Sequence, residues 1–258
     1  PRTYYEMEQV AQILRQNGIY AISIGGKFGW HTMRVMDYFL EVAAGPELHD
    51  ALSALRASWD SEPVRRAYSL MRKWIENRWI VPDFLTVAPA EARWPVYRGN
   101  AAMILEGPWF EGVLKQDQQD VRRFDFFLPP TDHEPLRYSG FIEQYMIPKA
   151  AKHPDEAALF IDFTIRLETQ MKYPAAFASS ATVGWSKDPQ EWPHTAKWQR
   201  ILETMRHTYL PKDQSFEKEL MDAFFAVQDG VIAGRYTPAE GAKMMEEAAE
   251  RWRARGGS

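Results

Sequence analysis

Asn100-Ala101-Ala102-Met103-Ile104-Leu105-Glu106-Gly107-Pro108-Trp109-Phe110 is the stretch on which the reading of this chain turns. It begins as a short apolar strand, Ala101 to Leu105, breaks at Gly107-Pro108 and then presents two consecutive aromatics. Glycine and proline are the strongest punctuators of local structure. Open α/β sheets hold their ligands just outside the carboxyl ends of the strands, and Trp109 falls at such an end. A tryptophan there either plugs the core, as tryptophans on average do, or offers its ring to a ligand.

A second turn of the same kind lies upstream. Residues 19–24 alternate as a strand, Gly25-Gly26-Lys27-Phe28-Gly29-Trp30 forms a glycine-rich turn, and a helix follows over about 31–44, closed by Gly45-Pro46. Phe28, Trp30, Trp109 and Phe110 therefore all follow strand ends, in two separate turns. A sugar ring has apolar C–H faces that lie flat on an aromatic ring, and hydroxyls that need polar partners at its edge. Pockets of that kind are concave, largely preformed and carry a few placed polar groups.

Around these turns the chain alternates strands and helices, which argues for α/β layers. A capping box, Thr3 to Glu6, opens a helix over about 4–16 that stops before Asn17-Gly18. Asp60-Ser61-Glu62-Pro63 starts another, with Ala67, Tyr68, Met71, Trp74 and Ile75 on one stripe. A short helix is expected near 89–97, strands over 124–128 and 141–147, and a crossing segment over 131–137. Helices are expected over 154–171, 196–207, 216–233 and 238–253, the last opened by a second capping box at Thr237-Pro238-Ala239-Glu240. Trp59, Trp74, Trp79 and Trp252 sit on or beside helices and read as core.

Composition narrows the function. The 258 residues are 45% hydrophobic and 26% charged, with a net charge of −4, ordinary for a globular protein and unlike a nucleic-acid binder. No apolar run approaches the length of a membrane span. Cysteine is absent, which excludes disulfides, zinc–thiolate sites and thiol catalysis. The six histidines, at 31, 49, 133, 153, 194 and 207, lack the spacing of a metal motif and read as surface or cap residues. The turn at 25–29 lacks the P-loop and dinucleotide spacings, which leaves a polar contact from Lys27 or a backbone N–H. No Gly-x-Ser-x-Gly elbow is present. Glu106, Glu111 and Glu143 lie beside aromatics, as the paired carboxylates of a glycoside hydrolase would; that enzyme is the alternative to a binding protein.

The order of several short segments resembles the extracellular solute-binding proteins of ABC sugar importers, the maltose-binding-protein-like family. Pro1-Arg2-Thr3-Tyr4-Tyr5-Glu6-Met7 is similar to its Pro-x-Thr-Trp-x-Glu-Phe segment, and residues 18–30 to its strand and ligand loop. Gly99-Asn100-Ala101-Ala102-Met103 with Gly107-Pro108-Trp109 resembles its Gly-x-Ala-Ala-Met…Gly-x-Trp signature. Ile147-Pro148-Lys149 with His153-Pro154-Asp155-Glu156-Ala157-Ala158, and Gly234-Arg235-Tyr236-Thr237-Pro238-Ala239-Glu240, match two later segments. The resemblance implies a two-lobed, class II periplasmic-binding-protein-like α/β fold, helix-rich, with the N-terminal part of the first lobe missing. The chain is therefore expected to be a piece of a longer protein. Residues 1–130 and 190–258 are expected to form the C-terminal lobe and 131–189 a partial N-terminal lobe.

The resemblance further implies a carbohydrate or related solute held by Trp109, Trp30, Phe28, Lys27, Phe110 and Met221, with Glu143 and Gln144 facing it from the other lobe. Where the family has a small, glycine-rich strand, this chain has Phe141-Ile142-Glu143-Gln144, which would offer hydroxyl acceptors or a counter-charge. No catalysis, cofactor or metal is implied. A monomer outside the cytoplasm, delivering its solute to permease subunits and anchored at the membrane as a lipoprotein, completes the expectation.

Overall fold

The computed structural model describes residues 1–141, 144–180, 182–204 and 207–255. Along the chain come α1 (Tyr4–Gln16), β1 (Tyr20–Ser23), α2 (Trp30–Ser53), α3 (Glu62–Glu76), α4 (Arg93–Tyr97), β2 (Ala101–Ile104), α5 (Phe110–Gln116) and β3 (Tyr138–Ser139). They are followed by α6 (Pro154–Ile165), α7 (Leu167–Lys172), α8 (Pro193–Thr204), β4 (Thr208–Tyr209), α9 (Lys212–Ser215), α10 (Lys218–Ile232) and α11 (Pro238–Ala254). The residues group into two compact units, one within 1–105, 128–141 and 207–258, the other within 106–127 and 142–206. The unit boundaries thus fall at 105, 127, 141 and 206, whereas the sequence reading draws its lobes at 130 and 190.

In the first unit, β1 and β2 pair in parallel with Tyr20 opposite Ala101 and Ile22 opposite Met103. Helices cover them because a parallel pair buries both faces. Thr3 caps α1 by accepting from the Glu6 N–H, and Thr237 and Glu240 form the complete capping box of α11, as the sequence signals. The stripe on α3 is buried at Val64, Ala67, Tyr68, Met71 and Trp74. With Trp59, Phe39, Phe224 and Met245 it forms one continuous core. The helix expected to stop at Gly45-Pro46 bends there instead. Gly45 has φ 71, outside the helical region, and Pro46 opens a second helical run to Ser53, a position where its missing N–H costs nothing.

In the second unit, Leu114 on α5, Ala196 on α8 and Trp192 just before α8 are buried, and Glu111 on α5 bonds the start of α8. The expected helix over 154–171 is split at Arg166, whose ψ of 134 is extended, giving α6 and α7. Neither expected strand, 124–128 or the described part of 141–147, forms. Strands exist only by hydrogen-bonding to neighbours, and among the described residues no segment pairs with either. What forms instead, in the first unit, is the two-residue strand β3, parallel to β4 with Tyr138 opposite Thr208. Helix α6 buries only Thr164 and leaves Leu159 and Phe160 more than 60% exposed. No helix among the described residues is long and apolar enough to cross a membrane.

Candidate functional site

The glycine-rich turn after β1 is built by close approach. A Cβ on Gly25 would lie 2.4 Å from the Pro89 Cα, and Gly29, at φ 76, would meet the Phe225 ring at 2.6 Å. Only glycine fits either position. His31, fully buried, then ties the two strand ends together. Its Nδ1 accepts the Gly25 N–H at 3.1 Å, and its Nε2 donates to the Leu105 carbonyl at 2.7 Å. That pattern fixes the neutral ring with the proton on Nε2. Burial, with the nearby Arg93 and Arg34 charges, drives its pKa down to about 4, although the Leu105 bond works the other way. His31 is thus a buried strut, not the surface or cap residue its spacing suggests, and so is His49.

On this strut sit the expected aromatics. Trp30 stacks on His31 with centroids 5.0 Å apart and planes 17° off parallel. It is half-buried, while Phe28 is 59% exposed. Lys27 is exposed, with its ammonium 5.8 Å from the Phe28 ring. Three backbone N–H groups of the turn are already used, Gly25 by His31, Lys27 by Val87 and Gly29 by Gly26, so they are not the anion cradle that the turn might have offered. Gln228 on α10, fully buried, donates to the Gly29 carbonyl at 3.1 Å. Met221 and Phe225 lie one helical turn apart on α10, both partly buried, with Phe225 against Gly29. Lys27, Phe28 and Trp30 are therefore brought together in one turn, and α10 supplies its backing.

Trp109 and Phe110 belong to the second unit. The Trp109 ring folds back over Gly107, where a Cβ would lie 2.2 Å away, and its Nε1 donates to Glu106 Oε2 at 2.6 Å. This accounts for the Gly-Pro-Trp order: glycine makes room for the ring and glutamate holds its polar edge. Trp109 and Phe110 are both half-buried, and Gln144 is exposed. Glu143 lies outside the described residues. Glu111 is not a solvated carboxylate. It is buried and accepts from the His194 N–H at 3.0 Å, the Thr195 N–H at 2.7 Å and the Thr195 hydroxyl at 2.7 Å. It caps α8, where a negative charge meets the helix N-terminus. With Glu106 holding the indole and Glu111 capping a helix, the carboxylate pair of a hydrolase finds no support. No cluster of three metal-ligating side chains occurs among the described residues.

The feature the sequence reading missed is a buried charged network in the first unit. Lys212, at 0% exposure, places its ammonium 2.9 Å from Asp37 Oδ1, 2.8 Å from His49 Nε2 and 2.9 Å from the Ser53 hydroxyl. Its backbone N–H also donates to Asp37 Oδ2 at 3.1 Å. His49 Nδ1 lies 2.6 Å from Glu41 Oε2, and Arg137 grips Glu41 with Nε at 2.8 Å and Nη2 at 2.7 Å. Burial alone would raise both carboxyls. The Lys212 charge and His49 instead hold Asp37 below its usual range, and Arg137 with His49 brings Glu41 to about 2. The signal was present: Asp37 and Glu41 recur four residues apart on an otherwise apolar helix face, and a buried carboxylate needs a partner.

Comparison with known proteins fits this architecture. Residues 1–171 match the family model described as bacterial extracellular solute-binding protein. A protein of Pyrococcus horikoshii, described as an uncharacterized ABC transporter extracellular-binding protein, is 24% identical over 174 residues, covering 66% of this chain and 37% of that one. Among solved structures, a chitin oligosaccharide binding protein superposes with a TM-score of 0.83 at 18% identity, covering 98% of this chain and 65% of its own. The bacterial solute receptor AcbH, described as having an exclusive preference for β-D-galactopyranose, gives 0.81 at 15% identity, covering 97% and 65%. The chain thus spans about two thirds of the length of these solved relatives, and over that span it has their two-lobed α/β fold. With a family model matched over 171 of its 258 residues, the chain belongs to the bacterial extracellular solute-binding proteins.

Proposed function

We propose that this protein captures a carbohydrate or related polyhydroxylated solute outside the cytoplasm and hands it, chemically unchanged, to the permease of an ABC transporter. One observation carries the reading. The turn over residues 25–30 is fastened at both ends through His31 and Gln228, yet holds Phe28 exposed and Trp30 half-buried at a strand end. A rigid turn that keeps aromatic surface partly in water is preorganised for a ligand with an apolar face. The solved relatives named for chitin oligosaccharide and β-D-galactopyranose support a sugar as that ligand.

In this reading Lys27, Phe28, Trp30 and Met221 contact the solute, and Trp109, Phe110, Glu143 and Gln144 are its further contacts. The protein acts as a monomer held near the membrane by a lipid anchor. Trp30→Ala and Trp109→Ala would each weaken binding by about 2–4 kcal/mol, the range for a buried aromatic anchor. A thermal-shift screen against mono- and oligosaccharides, followed by calorimetry on the two variants, tests this. Sugar binding that survives both substitutions unchanged would refute the aromatic site, and the absence of any sugar binding would refute the function.

A further inference from the structure

We propose that Arg34 and Asp213 form the hydrogen-bonding edge of the solute site beside Trp30, and that this pair selects a neutral, polyhydroxylated solute over an ionic one. The inference rests on the solute-binding reading above and adds the residues that recognise hydroxyls.

Arg34 stands four residues after Trp30 on α2, so the two side chains leave one face of the helix. Its Nη1 donates to the Ser139 hydroxyl at 2.9 Å, its Nη2 to Asp213 Oδ1 at 3.4 Å, and its guanidinium lies over the Phe141 ring at 5.2 Å. Its Nε is shielded and has no partner. Asp213 is the residue next to Lys212. Because Lys212 is clamped to α2 through both its ammonium and its backbone N–H, the start of α9 is held in place and Asp213 is presented to Arg34 at a set position.

The contrast with the other arginine of the unit is informative. Arg137 holds its two carboxylates with four contacts of 2.7–2.8 Å and adds a fifth, at 3.2 Å, to the Pro46 carbonyl. Charge-assisted bonds ordinarily run about 2.7–2.9 Å. The Arg34–Asp213 contact is longer, and its side chains are 13% and 19% exposed, neither sealed like Lys212 nor solvated like the Arg65–Asp60 pair at 45% and 36%. Burial, together with the charge of Asp37, pushes the Asp213 carboxyl above its usual value despite Arg34. Asp213 also accepts from its own backbone N–H and from the Gln214 side chain, so what sets the pair apart is its long mutual contact, the unpaired Arg34 Nε and its reach to solvent.

A vicinal diol fits such a pair. One hydroxyl donates to Asp213 and its neighbour accepts from Arg34, while the ring's C–H face lies on Trp30. The pair carries no net charge. A solute carboxylate would gain from Arg34 but face Asp213, and a solute ammonium would meet the reverse, so neither is favoured over a neutral ring.

Calorimetry on the whole protein with galactose, raffinose and chitobiose, and with galacturonate as the anionic probe, decides the matter. For the neutral sugar that binds, Asp213→Asn and Arg34→Gln are expected to lower affinity at least tenfold, with Asp60→Asn unchanged as the surface-pair control. Galacturonate is expected to bind more weakly than galactose, and that discrimination to shrink in Asp213→Asn. Wild-type affinity in both variants, with Trp30→Ala still impaired, overturns the inference and leaves the binding function standing. So does galacturonate binding more tightly than galactose. No neutral sugar binding to the wild type overturns both. Unfolding midpoints of the ligand-free variants show whether they fold. Should either fail, Asp213→Glu and Arg34→Lys keep the charges but shift their positions; an affinity loss in these supports the pair, and wild-type affinity refutes it.

Discussion

Replacing Lys212 by methionine tests the buried network most directly. Methionine matches lysine closely in length, so the packing term is small. The loss is electrostatic. The Asp37 carboxylate, fully buried, loses an ammonium at 2.9 Å, while the His49 and Ser53 contacts at 2.8 and 2.9 Å also go. Removing one partner of a buried ion pair costs about 3–5 kcal/mol because the other charge is stranded. For a chain of this size that lowers the unfolding midpoint by roughly 6–20 °C at about 2–4 °C per kcal/mol. Without Lys212, burial dominates Asp37 and raises its folded pKa. Its penalty is then full above that raised value, fades as pH falls toward the ordinary carboxylate pKa and is gone below it, so the deficit of the variant shrinks in acid. Removing both partners, Asp37→Leu with Lys212→Met, is expected to cost less than Lys212→Met alone, leaving mainly the Lys212 N–H unpaired. Denaturant unfolding of the single and double variants at pH 7 and pH 4 measures all of this. A single-variant loss below about 1 kcal/mol, or a double variant worse than the single, would show that the network is not the stabilising unit described.

Two further outcomes follow from groups with displaced pKa values. His31 titrates near 4 in the folded protein and near 6.5 unfolded. Between those values only the unfolded chain takes the proton, so stability falls by about 3 kcal/mol as pH drops from 6.5 to 4. In His31→Asn that part of the pH dependence of unfolding should be absent, and an unaltered slope would refute the strut. Asp229 on α10 has its carboxyl pushed up to about 6 by burial, and its Oδ1 lacks a partner. The folded state therefore resists its charge above pH 4. Asp229→Asn should stabilise the protein at pH 7 by about 1 kcal/mol, a figure already reduced for its partial solvent access. The gain should vanish below pH 4, and a destabilised variant at pH 7 would count against the assignment.

What the sequence disclosed, and what it withheld, follows the reach of the forces involved. The capping box at Thr237 and the α3 stripe involve neighbours within a few residues and appear as read, whereas at Thr3 only the cap itself forms, because the Glu6 carboxylate takes the Arg2 N–H instead of closing the box. The two aromatic turns were legible because Gly25, Gly29 and Gly107 mark close approaches. What was hidden lies between distant segments. His31 looked like a lone histidine, because its partners are Gly25 and Leu105. Glu111 looked like a catalytic or surface acid, because the helix it caps begins 82 residues later at Pro193. The strands expected at 124–128 and 141–147 have the right composition, but a strand also needs a partner, and composition does not show whether one is there.

Helix α2 links these observations. Its first turn carries Trp30 and the His31 strut, its second carries Arg34, and its next turns carry Asp37 and Glu41. One apolar helix therefore positions the aromatic turn and clamps the start of α9, where Lys212 and Asp213 sit. Strength and recognition are divided between these two adjacent residues: Lys212 is sealed and saturated, whereas Asp213 stays partly open to solvent. Loss of Lys212 should accordingly disturb Asp213 as well, so stability and affinity fall together. Loss of the Asp213 carboxylate alone should leave the clamp intact, and affinity should fall while the unfolding midpoint of the ligand-free protein holds. That asymmetry between neighbouring positions is the physical mark of a site built onto a buried anchor rather than of a surface ion pair.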